Sequence, residues 1–348
     1  MRNLILIVAL LFAGSPSSAQ LLDAPAASGP STGPSTDSPA DELPAEEAVE
    51  TTVRFRVGAI LTAKRGACRD IQGMVAVPIE CDEQQVRIVE EDFSPGVTAT
   101  FRDLAGGNAR QMLFALPFLE GGAEVHAILT YEVTTRTTLP PSDAEAAELK
   151  IPERVPRGLR GYVGPSSFIE ARHPKIKKLS RQIQKDFEEA NPEGSDFERV
   201  EAIYDYVMEN IEYIEGPDTS AVTTLETGSA DCHGRSALII ALCRSMEIPA
   251  RMVWVNNHVY PEVYLERGED DGVWLPSESA GTIAFAEMPV ARPILQKGDD
   301  FRIPERRGEK LRYASEYMTA LPAKRGSGKP SVKYIREVVS DGSGVMVQ

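Results

Sequence analysis

Gly228-Ser229-Ala230-Asp231-Cys232-His233-Gly234 is a turn of small residues that runs directly into an apolar segment. That segment passes through Leu238 and Leu242 to Ser245, and Pro249 stops it. Cys232 therefore stands at a helix start. The first backbone N–H groups of a helix lack intrahelical partners, and the positive end of its dipole favours a thiolate there. A lone cysteine is also commonly a buried structural residue, so position alone leaves a reactive and a structural reading open.

Downstream, three strands are expected over 250–255, 258–266 and 273–277, the second opening with His258-Val259-Tyr260-Pro261-Glu262-Val263-Tyr264. A strand position facing the helix start would hold an imidazole rigidly beside the thiol. The second and third strands read as a hairpin whose loop centres near residue 269. Pairing about that centre sets Glu278 opposite Tyr260 and diagonal to His258 on the same face. A carboxylate there would orient the imidazole and stabilise its charged form. Glu262 shares the face but lies about 13 Å along the strand from His258, so it reads as a structural or rim acid. His233 is the competing base. Adjacent helix residues point about 100° apart, so His233 is expected to face away from Cys232. The candidate catalytic residues are Cys232, His258 and Glu278. Cys243 lies about 16 Å further along the helix, too far for a disulfide to Cys232, and reads as a core thiol. Cys232, His233 and Cys243 have no metal-ligand spacing, and no phosphate, nicotinamide or calcium loop is present. Neither a metal nor a cofactor is expected.

The run Thr224-Leu225-Glu226-Thr227-Gly228-Ser229-Ala230-Asp231-Cys232-His233-Gly234-Arg235-Ser236-Ala237-Leu238 resembles the nucleophile segment of the transglutaminase-like family. So does Ala241 to Arg251, which ends in Glu247-Ile248-Pro249-Ala250-Arg251. Ile203 to Tyr213 resembles the family's preceding helix, and 258–264 resembles its His-bearing strand. Pro165-Ser166 and Gln296 to Phe301 extend the resemblance toward exported bacterial members that carry an N-terminal β-domain. There are departures: Ala230 and Glu247 replace glycines, Tyr260 stands where Trp is common, and Glu278 occupies the usual Asp position. The resemblance implies a papain-like transglutaminase core of α+β class, with a helix-borne Cys packed on an antiparallel sheet. It implies Cys232 as nucleophile and His258 as general base. The implied chemistry is that of a cysteine hydrolase or acyltransferase acting on peptide or carboxamide bonds through a Cys-thioester. Hydrolysis is favoured over amine transfer, and the implied partner is a protein or peptide substrate. The Glu278 substitution keeps a second reading open, a weak or inactive scaffold that binds protein or cell-wall peptide. A third makes Cys232 a redox or adduct-forming thiol.

Around this core the 348-residue chain divides by composition. Residues 1–19 have a basic Arg2, an apolar run from Leu4 to Phe12 and a small-residue end at Ala19, the shape of a cleaved secretory signal. The run is too short to span a bilayer. An exported protein with no membrane span after cleavage is expected. Residues 20–50 hold five prolines and seven acids with no Lys or Arg, and read as a disordered linker. Residues 51–142 alternate at Val53, Phe55 and Val57, at Val86 and Ile88, and from Val125 to Val133, with a compact strand at 111–118. They read as a β-sandwich domain that precedes the core. His126 reads as a surface histidine. Cys68 and Cys81 could form a disulfide or stand as two half-buried thiols. Residues 150–340 are assigned to the transglutaminase-like domain with a C-terminal extension. Helices are expected after Pro174 and after a capping box at Ser195 and Glu198. A further helix is expected over about 309–320 and a strand over 332–339. The net charge of −15, from 37 basic and 52 acidic residues, argues against nucleic acid as a partner.

Overall fold

A computed structural model of the protein describes residues 48–268, 271–281 and 283–339. The expected signal segment and residues 20–47 of the linker lie outside the described residues. Alternation along β1 (Glu50–Thr62) buries Phe55, Val57, Ala59 and Leu61. The same period along β6 (Glu124–Arg136) buries Ala127, Leu129, Tyr131 and Val133. The two strands pair antiparallel, Phe55 opposite Tyr131 and Val57 opposite Leu129. β3 (Gln84–Phe93) pairs with the other edge of β6. Against this sheet pack β2 (Cys68–Val77) and β5 (Ala109–Leu119), whose Ile71, Val75, Met112 and Phe114 complete a sandwich core. β4 (Thr98–Leu104) pairs with β5.

Cys68 and Cys81 are free thiols, which corrects the disulfide expectation. Between them the chain runs out along β2, and nine residues of extended strand span about 30 Å, far beyond the Cα separation a disulfide tolerates. The Cys68 thiol donates to the carbonyls of Gly66 and Gly328 at 3.4 and 3.2 Å.

A short helix α1 (Asp143–Glu148) leads into the second region. α2 (Pro174–Ala190) starts with proline in its first turn. α3 (Asp196–Asn210) has a reciprocal capping box, Glu198 N–H to Ser195 Oγ at 3.2 Å and Ser195 N–H to Glu198 Oε2 at 2.6 Å. β7 (Glu212–Tyr213) and β8 (Ser229–Ala230) form a two-residue parallel pair. Between them lies α4 (Ala221–Thr227), which sequence reasoning missed. α5 (Cys232–Ser245) follows, and every residue from Gly234 to Arg244 is buried.

α5 packs on β9 (Ala250–Val255) and β10 (His258–Glu266) in one core that also takes in the apolar stripes of α2 and α3. β10 pairs antiparallel with β11 (Gly272–Pro276) in the expected register, Glu262 opposite Pro276 and Leu265 opposite Val273. β12 (Ile294–Lys297) pairs with β9 on one side and meets β5 at Ala109 on the other. One eight-stranded sheet thus runs from the sandwich into the strands beside α5.

No helix forms over 309–320, which corrects that expectation. Leu311 makes an isolated bridge with Phe301, and the Ala314 N–H donates to Gln296 Oε1 at 3.0 Å. The extended segment then becomes β13 (Tyr317–Pro322), paired with β2. β14 (Ser331–Val339) matches the expected last strand and pairs with β1. The C-terminal extension therefore supplies a strand to each sheet of the N-terminal sandwich. Among the described residues no helix is long and apolar enough to cross a membrane.

Candidate active site

Asp231 is the N-cap of α5, its Oδ1 accepting the Gly234 N–H at 3.0 Å, and this fixes Cys232 as the first helical residue. Gly234 faces α4 so closely that a Cβ would sit 2.2 Å from Thr219 Oγ1 and 2.6 Å from Thr224 Oγ1. The small residue lets the first turn of α5 nest against α4.

His258 follows the two-residue turn Asn256-Asn257 between β9 and β10. Asn257 there adopts φ +57°, a left-handed conformation that Asn tolerates. Glu278 lies two residues past the end of β11. Its Oε1 accepts from His258 Nε2 at 2.7 Å, from the Ser279 N–H at 2.8 Å and from the Ala280 N–H at 3.0 Å. Its Oε2 lies 3.4 Å from Arg292 Nη1. Glu reaches the imidazole despite its longer arm. With Nε2 bonded to Glu278, Nδ1 is the nitrogen of His258 left to serve Cys232. The expected trio thus meets in one place.

The electrostatics follow from these contacts. Burial pushes the Cys232 thiol up, but hydrogen bonds and positive charge from His233 and His258 outweigh it and lower the thiol to about 6. Burial disfavours charged His258, but hydrogen bonds to Cys232 and Glu278, with their negative charges, raise it to about 9. Burial alone would raise the Glu278 carboxyl. The hydrogen bond and charge of His258, with Arg292 and the Ala280 N–H, hold it below its ordinary value. Between these limits the stable state is thiolate, imidazolium and carboxylate.

Surrounding residues clamp the arrangement. The Tyr204 hydroxyl lies 2.6 Å from Glu278 O and 2.9 Å from Ile283 O. Arg235 donates to Ser279 O at 3.2 Å and to Ile211 O. Ser279 Oγ sits 3.0 Å from Ser236 Oγ. These contacts tie α3, α5 and the loop after β11 together around the trio. Glu262 is a fully buried structural acid, paired with Arg251 at 2.7 Å and Lys297 at 2.8 Å.

His233 departs from expectation. It does not face away: its Nδ1 lies 3.7 Å from Cys232 Sγ, 3.3 Å from Asp231 Oδ2 and 3.2 Å from Asp218 Oδ1. The angle between neighbouring Cα–Cβ directions is offset by the reach of the imidazole, and two carboxylates draw Nδ1 back over the helix start. Ligand-type atoms of Asp218, Asp231 and His233 lie within 4.8 Å of one another. Arg312 Nη1 already donates to Asp218 Oδ2 at 2.6 Å, so the cation at this cluster is a guanidinium and no metal role is assigned to it.

Residues 181–279 match the family model of the transglutaminase-like superfamily, a span that holds Cys232, His258 and Glu278. This part of the chain is a transglutaminase-like domain. Among solved structures, a candidate cysteine protease from Cytophaga hutchinsonii shares the fold at 17% identity and a TM-score of 0.52, over 86% of this chain and 95% of its own. A candidate protease from Parabacteroides distasonis aligns at 13% identity over 66% of this chain and 43% of its own; its TM-score of 0.26 is too low to carry an argument. No curated protein matches significantly.

Two departures within the transglutaminase-like domain now have a structural account. Glu247 adopts φ +64°, the left-handed region that favours glycine, just after α5 ends. Ala230 is buried in β8, where a small side chain suffices. The flanking runs of the wider resemblance converge on the other end of α5. Arg244 donates to Gly164 O at 3.1 Å, Ser166 Oγ at 3.0 Å, Ala250 O at 2.8 Å and Asp299 Oδ2 at 2.8 Å. Sequence reasoning missed Asp218, Arg292 and Arg312 as neighbours of the site. Their separations from Cys232 follow no helix or strand period, so only the folded chain brings them there.

Proposed function

We propose that the protein is a cysteine hydrolase or acyltransferase acting on peptide or carboxamide bonds, with hydrolysis the main outcome. The observation that carries this reading is the meeting of the helix-borne Cys232 with His258, whose charge lowers the thiol and whose Nε2 bonds Glu278 Oε1 at 2.7 Å. The Cys232 thiolate attacks the substrate carbonyl, forming the C–S bond, and the carbonyl electrons move to oxygen. The backbone N–H of Cys232, at the open start of α5, donates to that oxyanion. Imidazolium His258 then gives its proton to the amine as the C–N bond breaks, leaving a thioester. Water attacks the thioester while His258 takes its proton. The acid is released and the thiolate returns. An amine in place of water would give a new amide. Glu278 holds the ring in orientation and supports its charge throughout. Export by a signal segment at 1–19 is part of the same proposal; the mass of the secreted chain should place its first residue at Gln20.

The test uses casein as a generic substrate, with and without a dansylated primary amine. Wild type should generate new N-termini, and Cys232→Ala and His258→Ala should not. Dansyl incorporation exceeding hydrolysis would turn the reading toward amine transfer. Cleavage unchanged in Cys232→Ala would overturn it.

A further inference from the structure

The transglutaminase-like core accounts for one imidazole at the thiol, and the structure holds two. We propose that His233 is a second imidazole partner of the Cys232 thiolate, held charged by Asp218 and Asp231, with Arg312 as the positioning residue that fixes Asp218. This inference rests on the reading of Cys232 as a nucleophilic thiolate and deepens it.

The argument starts from one nitrogen. His233 Nδ1 has three acceptors around it: Asp218 Oδ1 at 3.2 Å, Asp231 Oδ2 at 3.3 Å and Cys232 Sγ at 3.7 Å. A nitrogen facing three acceptors must carry a proton. Three groups that are anionic at neutral pH then favour the doubly protonated ring. The ring is held in place, since its centroid lies 5.7 Å from that of Trp254 on β9. Asp231 is fixed as the N-cap. Asp218 is fixed through its other oxygen by Arg312 at 2.6 Å, whose guanidinium lies 4.4 Å from the ring centroid of Phe168 and 5.2 Å from that of Trp254. Arg312 belongs to the segment between Leu311 and β13, so the C-terminal return reaches the nucleophile through Asp218 and His233.

The charged groups facing this pair come from several elements. Asp231 and Cys232 come from the start of α5, Asp218 from the loop before α4 and Arg312 from the C-terminal segment. His258 and Glu278 stand on the thiol's other side, and the Tyr213 phenol from β7 feels the thiolate as well. For His233, burial and the Arg312 charge lower its proton affinity, while the hydrogen bond and charge of Cys232 and the charge of Asp218 outweigh them and raise it. Arg312 thus acts in two ways, opposing the imidazolium directly and supporting it by holding Asp218. Two imidazoles on one thiolate divide the work. His258 has the hydrogen bond to Glu278 and the proton-transfer role, and His233 keeps the sulfur ionised.

The test is the pH profile of iodoacetamide alkylation at Cys232, read by mass spectrometry, in wild type, His233→Ala, His233→Asn, His258→Ala and the double His233→Ala/His258→Ala. His233→Ala should slow alkylation at about pH 5 roughly tenfold, the size of a one-unit upward shift, with no change above about pH 9. His233→Asn keeps a donor near the same place without its charge and should restore part of the loss. His258→Ala should still alkylate well below the ordinary thiol range, and only the double variant should return to it. Asp218→Asn should lower the rate in wild type and have no further effect in His233→Ala. A His233→Ala profile matching wild type, with His258→Ala alone restoring an ordinary thiol, would overturn the His233 assignment and leave the proposed function intact. An ordinary thiol already in wild type would sink both.

Discussion

The two ends of α5 carry the same side chain in opposite chemical states. At the N-terminal end Cys232 is lowered to about 6, and at the C-terminal end burial pushes Cys243 up to about 12 against the pull of Arg244. Both cysteines are buried, so burial does not decide between them. Three things differ. The N-terminal end presents unpartnered N–H groups and a positive dipole end, and the other presents carbonyls. The first thiol touches two imidazoles backed by Glu278, Asp218 and Asp231. The second sits in apolar core while its neighbouring cation donates elsewhere, to Asp299, Ser166 and two carbonyls. A thiol's reactivity is thus set by which hydrogen-bonding groups reach it, and a helix with a cysteine at each end is a built-in control.

That contrast can be broken or sharpened in steps of decreasing size. Cys232→Ala should reduce turnover by at least about a thousandfold, with little change in the unfolding midpoint, as checked by casein cleavage and denaturant titration. Arg244→Met acts at the other end. It leaves Asp299 buried without its partner, and breaking such a pair costs about 3–5 kcal/mol; the side chains of this pair are 0% and 3% exposed. Urea unfolding should show that loss, and Cys232 alkylation in the folded protein should keep its wild-type pH profile. Glu278→Gln keeps the size of the side chain but removes the charge behind His258, and should lower kcat by about 10–100-fold.

The pH dependence comes next. Turnover needs Cys232 ionised, which fails below about 6, and His258 protonated, which fails above about 9. The rate should be bell-shaped, falling about tenfold per pH unit on each side. Glu278→Gln should pull the alkaline limb downward, because the neutral amide no longer stabilises imidazolium. The smallest effect is expected from Cys243→Ala, a loss of about 1–2 kcal/mol from a small cavity and unchanged turnover.

Much of this was legible in the sequence because local rules govern it. The start of α5 was marked by small residues before an apolar run, and its end by Pro249. The hairpin register followed from the symmetry of two apolar strands about position 269, which placed Glu278 beside His258 in agreement with the resemblance. Local rules misled where long-range packing decides. Leu311, Ala314 and Tyr317 repeat at three residues and suggest a helix, yet Leu311 and Ala314 are buried by Met74, Ala109 and Phe301 around an extended chain. β2 was missed because both its faces are covered, so Met74 and Ala76 are buried along with Val75 and Val77 and the alternation is erased. The position of Gly73 is explained by Phe114, whose ring would lie 2.1 Å from an added Cβ. His233 was misjudged because backbone direction was weighed without the carboxylates that draw the ring toward the sulfur.

The most direct test of the central claim is to trap the acyl-enzyme. Wild type is mixed with p-nitrophenyl acetate, and nitrophenol release is followed while mass spectrometry locates the acetyl group. The account predicts a burst stoichiometric with protein, a single acetyl group on the Cys232 peptide, no burst in Cys232→Ala, and slowed deacylation in His258→Ala. Acetylation spread over lysines with no burst, or equal release from wild type and Cys232→Ala, would contradict it.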